Sequence, residues 1–339
     1  MIVKHRFKSN NLLAYEALYR RIKPQYRENT ILQNDYKRYF YGYQGERMVD
    51  YKLKMYTVKP AMIFMDLRLK TENRYFQMDT LILTKKFIII IETKNIRGSV
   101  EYDSDFNQFI RKDGDKEDGF KDPILQAETQ KINLLTWLEE RQLYNIPVES
   151  IVVISNPSTI IKHNQRDPKV LNKLIHLESL LHQLEKINQN YAREQVGITT
   201  MKKLKNYLIS GHTERRPNLM DYYNLNNDYF ILGIPCYKCF HYPMIRHFKK
   251  WLCPKCRCSG PTDHIRVILD HFLLHSPTIT NSEFRELLQL TSSQTSYFLL
   301  NAMNLRHTGT NKGRKYHTPT IENYPQDSEF IFKRQITIN

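Results

Sequence analysis

The chain of 339 residues carries 51 lysines and arginines against 35 aspartates and glutamates, a formal net charge of +16. At ~150 residues per domain this length predicts about two domains with room for small modules, and the charge points to a polyanionic partner. Hydrophobic residues at 41% and aromatics at 12% exclude wholesale disorder. The longest apolar stretches, such as Phe87 to Ile91, fall far short of the ~20 residues that cross a bilayer. Met1 to Asn11 has no apolar signal core, so neither membrane nor secretion is implied and a cytoplasmic protein is expected. The 5 cysteines all lie between Cys236 and Cys258, which excludes a disulfide framework spread through the fold and favours a metal knuckle.

Residues 1–38 are basic and polar, with Leu12, Leu13, Tyr15, Leu18, Tyr19 and Ile22 spaced as a short amphipathic helix that ends near Pro24. No chemistry is assigned to this segment. Gly45, Glu46, Met48, Val49 and Leu53 predict a helix, and Met62 to Leu69 a strand with Ile63, Met65, Leu67 and Leu69 on one face. Phe76–Leu83 and Phe87–Thr93, separated by Lys85 and Lys86, have the pattern of an antiparallel hairpin, and Gly98 opens a further strand over Ser99–Tyr102. Asp103 to Asp122 is rich in Asp, Lys and Gly without periodicity and is expected to be an exposed loop. Pro123 opens a helix with a broad apolar face, and Ile151–Ile154 is a buried strand, completing an α/β unit. Leucines and isoleucines at helical spacing over 169–209 predict a connector of at least two helices.

If the hairpin turn is centred on Lys85 and Lys86, Asp79 falls opposite Glu92 with Cβ atoms ~5 Å apart. Two facing carboxylates are destabilising unless a cation lies between them, and a hard divalent ion bound by oxygen is the usual remedy. Lys94 lies two residues beyond Glu92 and so shares its face. This trio suits phosphodiester hydrolysis: a divalent ion lowers the pKa of bound water and polarises phosphate, while a lysine offsets developing charge or orients the water.

The blocks GYQGE at 42–46, QMDTLIL at 77–83 and FIIIIETKNIRG at 87–98 occur in order and at tight spacing. Over roughly residues 39–155 they resemble the nuclease-related domain, or NERD domain, a branch of the PD-(D/E)XK superfamily with a restriction-endonuclease-like core. The resemblance implies that Asp79, Glu92 and Lys94 are the catalytic set, that Glu46 is an additional acidic residue, and that Gln126 is the family's helical glutamine near the site. It implies Mg2+ or Mn2+ at Asp79 and Glu92. Thr80 departs from the pattern, since the family commonly has histidine after the aspartate.

Cys236, Cys239, Cys253 and Cys256 form C-x2-C…C-x2-C with 13 residues between the halves, a strong signal for a closed, structural Zn2+ site of the zinc-ribbon kind. Cys258 is a fifth sulfur that can replace Cys256, although the regular spacing favours Cys256. Between the first and last cysteine lie Lys238, Arg246, Lys249, Lys250, Lys255 and Arg257 and no carboxylate. Tyr237, Phe240, Tyr242, Phe248 and Trp251 are interleaved with them, either as the ribbon's own core or as a surface that stacks on bases.

His264 to His275 predicts a helix, and two shorter ones follow, with capping boxes expected at Thr280/Glu283 and Thr291/Gln294. Three helices and a tight turn match the helix-turn-helix plan. Ser292, Ser293, Gln294, Ser296 and Tyr297 then begin the recognition helix, and Asn311–Pro319 forms a wing whose Lys312, Arg314, Lys315 and Tyr316 track a nucleic-acid backbone; a plain three-helix cap is the alternative.

The expected architecture is α/β: a restriction-endonuclease-like core with a mixed sheet flanked by helices (39–158) behind an N-terminal helical segment (1–38). A helical connector (159–230), a small zinc ribbon (231–260), a winged-helix-like domain (261–322) and a tail (323–339) follow. The expected function is metal-dependent hydrolysis of DNA, with Lys249, Lys250, Gln294, Lys312, Arg314 and Lys315 contacting nucleic acid. Alternatives are a non-catalytic DNA-binding or regulatory protein on a degenerate nuclease fold, and an RNA-processing nuclease. A protein partner or a homo-oligomer is open; G-x4-G-K-[ST] is absent, so no ATP site is expected.

Overall fold

A computed structural model describes residues 1–103, 105–106, 108–143, 146–163, 168–260 and 263–326, so most of the tail expected at 323–339 lies outside the described residues. The chain opens with β1 (Ile2–Lys4), α1 (Asn10–Arg21) and the long α2 (Thr30–Leu53), then β2 (Ala61–Lys70), β3 (Tyr75–Thr84) and β4 (Ile88–Lys94). There follow β5 (Ser99–Asp103), β6 (Gln108–Asp113), β7 (Lys116–Phe120), α3 (Pro123–Glu139), β8 (Val148–Ile154), β9 (Ile160–His163), α4 (Pro168–Lys173) and β10 (Leu174–His176). Helices α5 (Leu180–Asn190), α6 (Ile198–Gly211) and α7 (Leu219–Tyr222) lead to β11 (Ile245–His247), β12 (Lys250–Leu252) and β13 (Ser259–Gly260). The last elements are α8 (Asp263–Leu274), β14 (Thr278–Thr280), α9 (Asn281–Leu288), α10 (Ser293–Ala302), β15 (His307–Thr308) and β16 (Lys315–His317). Among the described residues no helix is long and apolar enough to cross a membrane.

The chain divides into two compact units, Met1–Arg6 with Phe40–Glu214, and Phe7–Tyr39 with the described residues from Arg215 onward. In the first, six strands form a mixed sheet in the order β1-β2-β3-β4-β8-β10, antiparallel at β2/β3 and β3/β4 and parallel elsewhere. Its centre is apolar on both faces. Phe64, Leu81, Ile88 and Ile90 pack with Leu134 and Trp137 of α3 and Met201 and Leu204 of α6. Ile82, Ile89 and Ile91 pack on the other side with Val49 and Leu53 of α2 and Leu180 and Leu184 of α5. The unbroken run Phe87–Ile91 is what a strand covered on both faces requires. A second sheet, β7-β6-β5-β9, contributes Val100, Tyr102 and Phe109 to a smaller core with Val152 and Ile154.

Three expectations are corrected here. Leu67 and Leu69 do not share a face with Ile63 and Met65: the first pair packs in the α3/α6 layer and the second in the α2/α5 layer. Asp66 lies between them at φ 55, a left-handed residue that breaks the two-residue alternation. The stretch expected as a loop forms β6 and β7, whose only buried side chain is Phe109. Its strands are held by cross-strand pairs such as Arg111–Asp118 at 2.6 Å and Lys112–Glu117 at 3.0 Å, so charge hides the period. Leu174–His176, expected as part of a helix, is the edge strand β10 beside β8.

The GYQGE block lies on α2. A Cβ at Gly45 would come 2.5 Å from Ser155 Oγ and 2.6 Å from Asn95 Cβ, so only glycine lets this turn of the helix approach the ends of β4 and β8; at Gly42 nothing lies within 4 Å. Gly45→Ala is therefore expected to destabilise the protein by ~1–3 kcal/mol and Gly42→Ala to stabilise it by ~0.5–1 kcal/mol through helix propensity, a difference of sign that thermal denaturation of the two variants reads directly.

Candidate functional site

The β3/β4 ladder runs from Leu83↔Ile88 to Thr80↔Ile91, so the next pair in register is Asp79 and Glu92, as the symmetric turn predicts. On the other side β3 pairs with β2 at Met65↔Thr80 and again at Leu67↔Met78, skipping Asp66 and Asp79. The opened ladder frees main-chain carbonyls, which buried backbone cannot leave unpaired. Lys4 Nζ donates to the Met65 and Asp66 carbonyls at 3.0 Å each, and Arg6 Nη2 donates to the Asp79 carbonyl at 2.6 Å.

Glu92, with 3% of its side chain exposed, is locked by three donors. Lys94 Nζ reaches Oε1 at 2.9 Å, Gln126 Nε2 reaches Oε1 at 2.7 Å and Gln130 Nε2 reaches Oε2 at 2.7 Å. Lys94 Nζ also donates to Gln126 Oε1 at 2.9 Å, so Glu92, Lys94 and Gln126 form a closed ring of hydrogen bonds. Helix α3 delivers both glutamines because they are four residues apart on one face, and Asp122 caps its start by accepting from the Ile124 and Leu125 N–H groups.

Asp79 is held more loosely: the Thr93 N–H donates to Oδ2 at 2.8 Å. Burial holds its carboxyl well above the usual carboxylate range, and the negative charges of Glu92 and Glu46 add to the shift. A half-buried carboxylate crowded by like charges is a fit for a divalent cation, and Asp79 with Glu92 supplies the oxygen donors that Mg2+ or Mn2+ prefers. Glu46 on α2 faces the same group but is engaged by Arg6, whose Nη1 donates to Glu46 Oε2 at 2.6 Å and whose Nε donates to Asp50 Oδ2 at 2.7 Å. Burial pushes the Glu46 carboxyl up to about 7; Arg6 opposes the shift, while Asp66, Asp50 and Glu92 reinforce it. Thr80, where the resemblance leads one to expect histidine, is buried and accepts from Arg6 Nη2 at 3.2 Å.

Glu46, Asp79, Glu92, Lys94 and Gln126 thus gather at one end of the sheet. Sequence reasoning missed Arg6, Asp50 and Gln130. Asp50 and Gln130 follow Glu46 and Gln126 by four residues on their helices, a signal that was available; Arg6 sits in the segment to which no chemistry was assigned, and nothing local marks it.

In the second unit, β11-β12-β13 form a three-stranded antiparallel sheet around the cysteines. The sulfurs of Cys236, Cys239, Cys253 and Cys256 all lie within 4.8 Å of one another. The Lys238 and Cys239 N–H groups donate to Cys236 Sγ at 3.4 Å each and the Cys256 N–H to Cys253 Sγ at 3.5 Å, the turn geometry of a zinc ribbon. Four thiolate donors suit Zn2+ and leave no position for water. Cys258 Sγ lies 3.1 Å from Cys236 Sγ and 3.3 Å from Cys256 Sγ, closer to each than they are to one another at 3.6 Å.

Trp251 alone among the ribbon's rings is fully buried. Tyr237, Phe240 and Phe248 are 61, 56 and 89% exposed. Phe248, at φ 51, projects from the β11/β12 turn and with Lys249 and Lys250 lines an open cavity of about 500 Å3. Helices α8, α9 and α10 pack with the antiparallel sheet β14-β16-β15. Gln294, Lys312 and Lys315 are exposed, whereas Arg314 is half-buried with its guanidinium 5.8 Å from the Tyr297 ring centre. Two residues expected at a nucleic-acid surface are turned inward: Ser296 is buried and donates to the Asn281 carbonyl, and Tyr316 packs in the core. The capping box at Thr280/Glu283 is present, but the cap of α10 is Ser292, which accepts from the Thr295 N–H, rather than Thr291.

Residues 41–155 match the family model NERD, nuclease-related domain, so this stretch carries that domain, and the mixed sheet flanked by helices is consistent with a nuclease-like core. No curated protein matches the chain. A solved crystal structure of a Vibrio cholerae protein is 14% identical, with a TM-score of 0.22, over 48% of this chain and 36% of that one, so this chain spans little more than a third of that protein's length.

Two outcomes follow from the site geometry. Because burial raises the folded pKa of Glu46 to about 7, above that of a free glutamate, its contribution to stability is full below the unfolded pKa and is lost as pH rises through 7. In divalent-free buffer Glu46→Gln should therefore gain on wild type by roughly 2 kcal/mol between pH 5 and pH 8 in denaturant unfolding. Metal analysis of purified variants should find one zinc per chain retained in Cys258→Ser and lost in Cys239→Ser.

Proposed function

We propose that this protein is a metal-dependent nuclease that hydrolyses phosphodiester bonds, with DNA as its preferred substrate. The hydrogen-bonded ring of Glu92, Lys94 and Gln126 facing Asp79, inside a nuclease-related domain, carries this reading. Asp79 and Glu92 would hold Mg2+ or Mn2+, which when bound supplies a water of lowered pKa and polarises the scissile phosphate. Glu92 is fixed for this task by Gln126 and Gln130, which preorganises its carboxylate. Lys94 keeps 27% of its side chain exposed while its Nζ is anchored, which suits it to orient the attacking water and to offset charge on the phosphate. Glu46 adds negative charge beside Asp79.

The remainder of the chain supports a nucleic-acid partner. The ribbon presents Phe248 beside Lys249 and Lys250, and no acid lies between Cys236 and Cys258. Lysines neutralise phosphates and exposed rings stack on bases. Lys312 and Lys315 beside Gln294 would extend this surface as a winged helix, and Zn2+ would hold the ribbon's turns.

Purified protein is to be incubated with supercoiled, linear and single-stranded DNA and with RNA, in Mg2+, Mn2+ or EDTA. Cleavage that needs the divalent ion and falls at least ~100-fold in both Asp79→Ala and Lys94→Ala is expected. If no substrate is cut while wild type and both variants bind DNA alike, the reading is wrong and a binding protein on a nuclease fold takes its place.

A further inference from the structure

Arg6 has no part in the chemistry above, yet its guanidinium lies in the middle of the acidic group with 3% of its side chain exposed. Nη1 is bonded to Glu46, Nε and Nη2 take the two oxygens of Asp50 at 2.7 and 3.2 Å, and Nη2 also holds the Asp79 carbonyl. An arginine so placed is a permanent charge, since guanidinium is not deprotonated in proteins. Burial by itself would weaken its hold on the proton; Glu46 and Asp50 more than reverse that.

When ionised, Glu46, Asp50, Asp66, Asp79 and Glu92 bring five negative charges, and Lys4, Arg6 and Lys94 bring three positive ones. One divalent ion balances the remainder. A second would bring two more positive charges against Arg6, which already holds Oε2 of Glu46 and both oxygens of Asp50. The carboxylates of Glu46, Asp79 and Glu92, moreover, are not drawn together as the four cysteines are.

We propose that Arg6 is the resident cation of the Glu46–Asp50 side of this site, so that the nuclease-like site takes a single divalent ion, at Asp79 and Glu92. This rests on the metal-dependent reading above and deepens it. Arg6 is a positioning residue: it touches no reacting atom, neutralises Glu46 and fixes the backbone from which Asp79 projects. The N-terminal segment thereby completes the site.

The test is titration of the full, zinc-loaded chain with Mn2+ in the absence of nucleic acid, followed by calorimetry and by the electron paramagnetic resonance of free Mn2+. One Mn2+ per wild-type chain is expected beyond the zinc, lost in Asp79→Asn and kept, with weaker affinity, in Glu46→Gln. Arg6→Gln should gain a second, Glu46-dependent Mn2+, and the double variant Arg6→Gln/Glu46→Gln should return to one. Two ions on the wild type, one of them lost in Glu46→Gln, overturn the inference and leave the metal-dependent reading standing. No Mn2+ on the wild type overturns that reading and the inference with it. If Arg6→Gln does not fold, wild type against Glu46→Gln decides alone.

Discussion

The first unit is organised by the cost of bringing carboxylates together where a β-ladder opens. At Asp66 and Asp79 the β2/β3 pairing lapses, releasing carbonyls and placing Asp79 beside Glu92 and Glu46. Each basic or amide group nearby answers one part of that problem. Lys4 and Arg6 take the freed carbonyls, Arg6 takes Glu46 and Asp50, and Lys94, Gln126 and Gln130 take Glu92. The strain is tolerated because the centre of the sheet is covered on both faces, so the ladder can open at one end while the pairs from Thr80↔Ile91 to Leu83↔Ile88 stay in register.

Much of this geometry was legible in the sequence because it follows from local rules. A two-residue turn at Lys85 and Lys86 dictates the register that sets Asp79 against Glu92, and a strand's period of two puts Lys94 with Glu92. Pro123 marked the start of the helix that carries Gln126. Arg6 was not legible, since it lies 40 residues from Glu46 and 73 from Asp79 and meets them only through tertiary packing. The face change in β2 escaped for a related reason: one left-handed residue, Asp66, reverses the phase of a pattern that otherwise reads as regular. In β6 and β7 cross-strand ion pairs replaced the apolar alternation that identifies a strand, leaving a sequence that looks like loop.

The second unit follows a different economy. The ribbon does not stand alone: Ile234, Met244 and Trp251 are buried in one core with Val267, Ile268 and Phe272 of α8, and Zn2+ on the four cysteines would add folding free energy to that burial. Trp251 is its one fully buried ring, and Tyr237, Phe240 and Phe248 stay outside. The rings outside that core lie at the surface among lysines with no acid between Cys236 and Cys258, a setting that suits phosphates and bases.

Asp79 and Glu92 are unequal partners. Glu92 is held by three side-chain donors, whereas Asp79 has a main-chain N–H on one oxygen and two like charges nearby. Burial and those charges favour a proton on Asp79, so a divalent ion bound there would have to release it. In the proposed site one half is thus rigid and the other would be completed by the cation, which would place the pH sensitivity of metal binding on Asp79 and the positional accuracy on Glu92. Arg6, by holding the Asp79 carbonyl, limits the freedom of the loosely held half to its side chain alone.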